Sequence, residues 1–565
     1  MTASRIRTAL GGALAMSLAV VGLLPATASA SAPTVVSTDE GAVRGATSNG
    51  VERFLGIPYA ATPTGSLRWK PPRPAARWTG VREAADFGRP CPVLPSGNGP
   101  RSETEDCLDV NVWRPSGVRA GARLPVHVFV HGGGLTNGSG SQNDESKLVK
   151  ETGVIGVSVN YRLGVFGFLG LPALTAEGGE SGNYGFMDQQ AALRWVQRNI
   201  SAFGGNPGEV TIDGESAGGW SVCGHLVSPG SRGLFARAMI QSGSCVSGPQ
   251  ARSEAAGTAF ARQAGCDGTD QAAVLDCLRS ASVGTLLDAS RTFSSGFVDG
   301  TETFPTAARE ALDGGRFARV PVVVGANRDE GRTFAAGYIG AGKEAYLAFV
   351  RGIGGVRADE VLARYPWPDT SDRYTAAYLI GAIMTDSGMI SGIGGCGLRS
   401  LARTLERYTP TYAYEFDHRT GPGLTQIPGY VWGAGHAAEL AYIWPSFNNG
   451  TPIAPLFNAD ERRLAHEMTR DWGAFAKTGR PSAARQTVWP AYHSGEGLML
   501  SLRAGGQECP DRRRPVRDGT PVRVLGHDAG HTALLNRPGD RKRSIGHRAG
   551  PPLRRGNVRD RGGPP

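Results

Sequence analysis

At 565 residues the chain can bury a large core, and α/β enzymes of this length often form one domain. The formal charge of +10 does not point to an acidic partner: residues 509–565 carry fourteen Arg and Lys against five Asp and Glu, Arg5 and Arg7 add two charges, and the stretch between is close to neutral. No nucleic-acid motif and no CxxC occur, and no histidine sits at ligand spacing beside a cysteine, so neither a nucleic-acid partner nor a metal is expected.

In chain order, residues 1–30 read as a secretory signal peptide. Arg5 and Arg7 give a basic start, residues 9–24 an apolar stretch, and "ATASA" a cleavage site ending at Ala30. The apolar run is short for a membrane span and is diluted by alanine and glycine; no later stretch is long and apolar enough to cross a bilayer. A soluble, secreted (extracellular) protein with no stable membrane insertion is expected, in an oxidising setting where disulfides persist. Cys91 with Cys107 and Cys266 with Cys277 each close a short loop, and Cys223 and Cys245 flank the segment after residue 216. Sequence alone leaves the connectivity of Cys223, Cys245, Cys396 and Cys509 open.

From about residue 33 to 503, apolar strands alternate with helical stretches, the signature of an α/β fold. Strands are expected in "LPVHVFVHGGG" (124–134), "GVIGVSVNYR" (153–162), "EVTIDGES" (209–216) and "RVPVVVGANRDEG" (319–331). They read as near-continuous apolar runs of a parallel sheet covered on both faces. "MDQQAALRWVQRNISAFG" (187–204) sets Ala191, Leu193, Trp195, Val196 and Ile200 on or near one helix face. There is no internal repeat. Residues 507–565 are rich in Arg, Pro and Gly and almost devoid of aromatics, so a disordered tail is expected after a 31–506 domain.

Residues 214–218, Gly-Glu-Ser-Ala-Gly, match G-x-S-x-G, a sharp strand-to-helix turn that lifts a serine hydroxyl out of the fold. Glycines suit it because a side chain there would collide with the adjacent strand or helix. Short matches also arise by chance in a chain with 82 glycines, so the rest of the chain must decide. A serine nucleophile needs a base to take its proton, an acid to orient that base, and donors for the oxyanion. "HGGG" (131–134) follows a strand, and its glycines would let backbone N–H groups point at a tetrahedral oxygen. The acid and then the base should follow Ser216, but many carboxylates and several histidines do so, and chain order leaves the choice open.

"EDCLDVNVW" (105–113), "HGGGL" (131–135), "NYRLGVFGFLG" (160–170), "GNYGFMDQQAALRWVQRNISAFGGNPGEVTIDGESAGG" (182–219), "QSGS" (241–244), "GANRDEG" (325–331) and "GAGHAAEL" (433–440) occur in this order. Over about residues 34–505 the chain thereby resembles the type-B carboxylesterase family, the group that includes the cholinesterases. The resemblance implies an α/β-hydrolase fold, with a large, mostly parallel central sheet flanked by helices and with helical insertions. It implies Ser216 as nucleophile, Glu330 as acid and His436 as general base. It gives Gly133, Gly134 and Ala217 as the oxyanion hole, with Glu215 and Ser242 as polar support behind the triad. The expected activity is hydrolysis of small-molecule carboxylic esters through an acyl-enzyme, with no metal or organic cofactor. A non-catalytic binding or adhesion protein on the same scaffold is the alternative, although such proteins typically lose a triad member. The triad does not exclude amides, carbamates or thioesters as substrates.

The sequence departs from the family pattern in places. Leu135 stands where an aromatic is usual and Ala437 where glycine is usual, which should alter pocket shape. The Cys91–Cys107 loop, "CPVLPSGNGPRSETEDC", is short and holds no aromatic to stack on a choline cation, so a general esterase is expected. Family members usually end on a cysteine and an aromatic-rich segment, that cysteine often pairing with one at the position of Cys396. Here "VRVLGH" (522–527) can be encoded so that the next frame reads Cys-Gly-Phe-Trp-Asp, and "ALLN" (533–536) so that the same frame meets a stop. A frame shift after about residue 506 is the expectation, a basic anchoring tail its rival, and resequencing the DNA decides between them. "NGS" (137–139), "NIS" (199–201) and "NGT" (449–451) fit the glycosylation sequon, a weak signal.

Overall fold

The structure is a computed structural model and describes residues 34–425 and 427–505. The expected signal peptide (1–30), the expected disordered or frame-shifted tail (507–565) and Cys509 lie outside the described residues.

Ten strands form the central sheet. In chain order they are β1 (Ala46–Ser48), β2 (Val51–Pro58), β3 (Asp109–Pro115), β4 (Leu124–Val130), β5 (Ile155–Val159), β6 (Gly205–Glu215), β7 (Arg237–Gln241), β8 (Val322–Asn327), β9 (Thr411–Phe416) and β10 (Leu500–Leu502). Across the sheet they lie β10-β9-β8-β7-β6-β4-β5-β3-β2-β1. Every pair from β10 to β5 is parallel, and β3, β2 and β1 extend that edge antiparallel. The four expected strands are all present. Register aligns their carboxyl ends: Val130 pairs with Gly214, Glu215 with Gln241, and Gln241 with Gly325. The segments that leave β4, β6, β7 and β8 therefore converge on one edge of the sheet, where open α/β sheets place their sites.

Helix α1 (Tyr184–Asn199) buries Leu193, Trp195 and Val196 as its spacing predicts, with Ile200 buried just beyond it and Ala191 half-buried. Disulfides join Cys91 to Cys107, Cys223 to Cys245 and Cys266 to Cys277, and Cys396 is a free, half-buried thiol among the described residues. No helix among the described residues is long and apolar enough to cross a membrane. Of the sequon asparagines, Asn199 is buried, its Oδ1 accepting from the Asp39 N–H at 2.8 Å.

Buried polar residues interrupt the apolar reading of the strands, Ser158, Thr211 and Asn327 among them, and two of them form an ionisable pair. His127 on β4 and Asp213 on β6 are fully buried in the sheet, the imidazole Nε2 lying 3.1 Å from Asp213 Oδ2 and its Nδ1 3.3 Å from Glu145 Oε2. The Trp444 indole N–H donates to Glu145 Oε1 (2.9 Å) and the Gln241 amide to Asp213 Oδ1 (2.8 Å). Burial opposes the imidazolium, but Glu145 and Asp213 outweigh it and hold His127 up to about 10. Because this folded value exceeds the unfolded one, the stabilisation is complete below pH 6.5 and is lost as pH rises through about 10. His127→Ala leaves two buried carboxyl groups unpaired and should cost about 3–5 kcal/mol in urea unfolding near pH 6. The triple change His127→Met, Glu145→Met, Asp213→Leu should cost less than that single one, since it removes the charges together.

Candidate active site

Ser216 stands between β6 and helix α2 (Ala217–Val227) at φ 58° and ψ −122°, backbone that non-glycine residues rarely adopt. Its surroundings fix the turn. A Cβ on Gly214 would come within 2.5 Å of the Gly218 carbonyl, and one on Gly218 within 2.0 Å of the Val130 oxygen on β4. The Ser216 N–H donates to the Gln241 carbonyl at 2.9 Å. Its Oγ bonds to no protein atom among the described residues and opens on a cavity of about 300 Å³.

Glu330 follows the end of β8. Its Oε1 accepts the Ser242 hydroxyl (2.5 Å) and the Asn327 N–H (2.7 Å), while Oε2 lies 2.6 Å from His436 Nδ1. Both oxygens are thus committed, which sets the imidazole plane and leaves Nε2 facing the cavity. That nitrogen lies 3.2 Å from Glu215 Oε1 and makes no hydrogen bond to Ser216. Burial opposes protonation of His436, but Glu215 and Glu330 outweigh it and hold the imidazole above its ordinary value of 6.5. Burial raises Glu215; His436 draws it back and Glu330 adds to the rise. Nearby Glu439, which the sequence reading passed over, accepts the Asn327 amide and is pushed well up by burial and by the other two carboxylates.

Removing the Glu215 charge takes away the carboxylate facing Nε2, so imidazolium is less favoured and the His436 pKa falls. In Glu215→Gln the acidic limb of the kcat/KM–pH profile is therefore expected to move to lower pH, provided His436 must be neutral for turnover.

The turn after β4 carries Gly133 at φ 104° and Gly134 at φ 64°, and a Cβ on Gly133 would meet the Asn137 carbonyl at 2.3 Å. The Tyr161 hydroxyl donates to the His131 carbonyl (2.8 Å), and its ring stacks on His131 at 4.5 Å, which pins the start of the turn. The N–H groups of Gly133, Gly134 and Ala217 donate to no protein acceptor among the described residues. Ala217 also opens α2, so the positive end of that helix adds to the donors.

Ser216, His436 and Glu215 line the cavity with Gly133 and Gly134, while Glu330 and Ser242 are buried behind. Ala437 also lines it, with φ 66°. Leu135 does not: it packs into the core, so its substitution does not shape the cavity wall. The remaining walls come from residues the sequence reading did not single out, among them Asn98, Asn143, Trp220, Phe334, Ile390 and Ile393. The run "TNGSGSQND" (136–144) was the available signal for four of the polar lining residues, Thr136, Asn137, Gln142 and Asn143, being rich in amides where a loop leaves the glycine turn.

A sequence profile described as the Carboxylesterase family matches residues 32–516. The para-nitrobenzyl esterase of Bacillus subtilis (strain 168) is 34% identical over 501 residues, 85% of this chain and 97% of that one. An acylcarnitine hydrolase of Mus musculus is 33% identical over 482 residues, 81% and 84% of the two chains. A solved PNB esterase superposes with a TM-score of 0.70 at 32% identity, covering 85% of this chain and 98% of its own. The chain belongs to the carboxylesterase family, has its α/β-hydrolase fold, and is a carboxylic ester hydrolase.

Proposed function

We propose that the protein is a secreted serine esterase working through a Ser216–Glu330–His436 triad and an acyl-enzyme. The observation that carries this reading is the free Ser216 hydroxyl on its strained turn, sharing one cavity with a His436 whose other nitrogen is held by Glu330. Ser216 Oγ attacks the ester carbonyl carbon as its proton passes to His436 Nε2. The carbonyl oxygen becomes an oxyanion facing the N–H groups of Gly133, Gly134 and Ala217. Nε2 then protonates the departing alkoxide as the C–O bond breaks, leaving the acyl group on Ser216. Water attacks that acyl carbon, gives its proton to the same nitrogen, and the acid leaves as Ser216 recovers its hydrogen. Glu330 keeps Nδ1 protonated throughout and stabilises the imidazolium.

Supporting export are the 1–30 leader and three disulfides, which persist in oxidising compartments. In the chain recovered from culture medium, the N-terminal mass should correspond to a start near residue 31.

Competition by an added alcohol tests the intermediate. With methanol present, one acyl group delivered from several different esters should partition between acid and methyl ester in one constant ratio, because every substrate passes through the same acyl-Ser216. A ratio that changes with the leaving alcohol would mean direct attack by water.

A further inference from the structure

The peptide between Gly133 and Gly134 is anchored by its carbonyl. The Gly133 oxygen accepts three hydrogens, from the N–H groups of Thr136 and Asn137 (3.1 Å each) and from the Thr136 hydroxyl (3.2 Å). A trans peptide points its C=O and its N–H in opposite directions. The anchor therefore turns the Gly134 N–H away from that loop. Gly134 lines the cavity, and its N–H donates to no protein acceptor among the described residues. With a glycine on each side and no Cβ to oppose other angles, this peptide would otherwise rotate readily. Rotated by half a turn, it would present a carbonyl oxygen to an oxyanion and repel it.

The Thr136 hydroxyl ends a line of side chains. The Ser139 N–H donates to Gln142 Oε1 (3.3 Å), Gln142 Nε2 to Asn98 Oδ1 (3.3 Å), Asn98 Nδ2 to Asn137 Oδ1, and Asn137 Nδ2 to Thr136 Oγ1 (3.2 Å). Backbone groups fix the direction at both ends, since the Ser139 N–H can only donate and the Gly133 oxygen can only accept. Every amide between them is oriented the same way, and each bond polarises the next toward Gly133. Electron withdrawal at that oxygen passes through the conjugated peptide and makes the Gly134 N–H a stronger donor.

Asn98 joins the line from the Cys91–Cys107 loop, so a segment closed by its own disulfide braces the turn. All four side chains are half-buried. None of them bonds to Ser216, Glu330 or His436 among the described residues, so their route to the chemistry runs through the glycine turn.

We infer that Thr136, held by Asn137, Asn98 and Gln142, is a positioning residue for the oxyanion hole and fixes the Gly133–Gly134 peptide with its N–H toward the forming oxyanion. The inference rests on the serine-esterase reading of Ser216 and deepens it.

Thr136→Val keeps the side-chain shape and removes the hydroxyl. It should lower kcat for p-nitrophenyl butyrate about tenfold with KM within about twofold, a smaller loss than removal of an oxyanion donor outright. Thr136→Ser, which keeps the hydroxyl, should stay within about twofold of wild type. A trifluoromethyl ketone forms a hemiketal with Ser216 that carries the same oxyanion, so its Ki should rise about tenfold in Thr136→Val. The acidic limb of the kcat/KM–pH profile should stay in place, because the line does not touch His436. Asn98→Ala reads the same line from outside the turn. It should cost about threefold alone and little more in the Thr136→Val background, where its route to the peptide is already cut. An unchanged kcat and Ki in Thr136→Val, equal losses in Thr136→Val and Thr136→Ser, or additive losses with Asn98→Ala would each overturn the inference and leave Ser216 as nucleophile. If Ser216→Ala hydrolyses the ester and binds the ketone as wild type does, the serine-esterase reading falls, and this inference with it.

Discussion

Replacing Ser216 by alanine is expected to lower kcat/KM for a short-chain p-nitrophenyl ester by about 10⁴- to 10⁶-fold, with no loss of folded protein. The size follows from what is removed and what stays. Without the hydroxyl no acyl-enzyme forms, yet the free N–H groups of Gly133, Gly134 and Ala217 and the cavity walls remain to bind and polarise the ester. Those features leave a residual rate above that in water, so the loss is large but finite. Stability should hold because the Ser216 Oγ makes no hydrogen bond to the protein among the described residues, and the strained backbone is common to serine and alanine. A variant within tenfold of wild type would show that the ester is cleaved elsewhere.

Glu330→Gln is expected to cost about 10³- to 10⁴-fold in kcat/KM, again with little change in unfolding. The direction of the new amide is dictated by its neighbours. Oε1 already accepts two hydrogens, from Ser242 and from the Asn327 N–H, so in the variant the amide oxygen stays there. The amide nitrogen then takes the place of Oε2, 2.6 Å from His436 Nδ1, and presents hydrogens to it. Two donors cannot face each other, so His436 moves its proton to Nε2. That tautomer cannot accept the Ser216 proton. The charge that stabilises imidazolium is lost as well. Retention of activity within tenfold would mean that another carboxylate, with Glu215 the nearest to Nε2, orients or charges the base.

The parts of this architecture legible in the sequence are those carried by contiguous runs. β4, β5, β6 and β8 were each visible as an apolar stretch, and the Ser216 turn as a five-residue pattern bounded by glycines that the fold requires. Glu330 and His436 were different: composition and chain order left them among many candidates, and only the blocks resembling a known family selected them. Two features stayed hidden because they are assembled from distant segments. His127 and Asp213 each read as a minor interruption of an apolar stretch and Glu145 as one more charge in a polar run; strand register brings the first two together, and Glu145 reaches them from the start of the helix at residues 146–152. The carboxamides that line the cavity likewise come from a disulfide loop, the loop after the glycine turn and residue 449, and only the second of these carries a pattern, its amide-rich run. Leu135 shows the opposite error, since its place beside the glycines suggested a cavity residue, but its side chain turns into the core.

The most direct test of Ser216 as the nucleophile is to locate the covalent adduct left by a p-nitrophenyl alkylphosphonate, which transfers its phosphonyl group to an activated serine and releases p-nitrophenolate. Peptide mass spectrometry should find one phosphonyl group per inactivated chain, on the peptide containing Ser216, and none in Ser216→Ala. An enzyme that loses all activity with Ser216 unmodified, or that carries the group on another residue, would contradict the assignment.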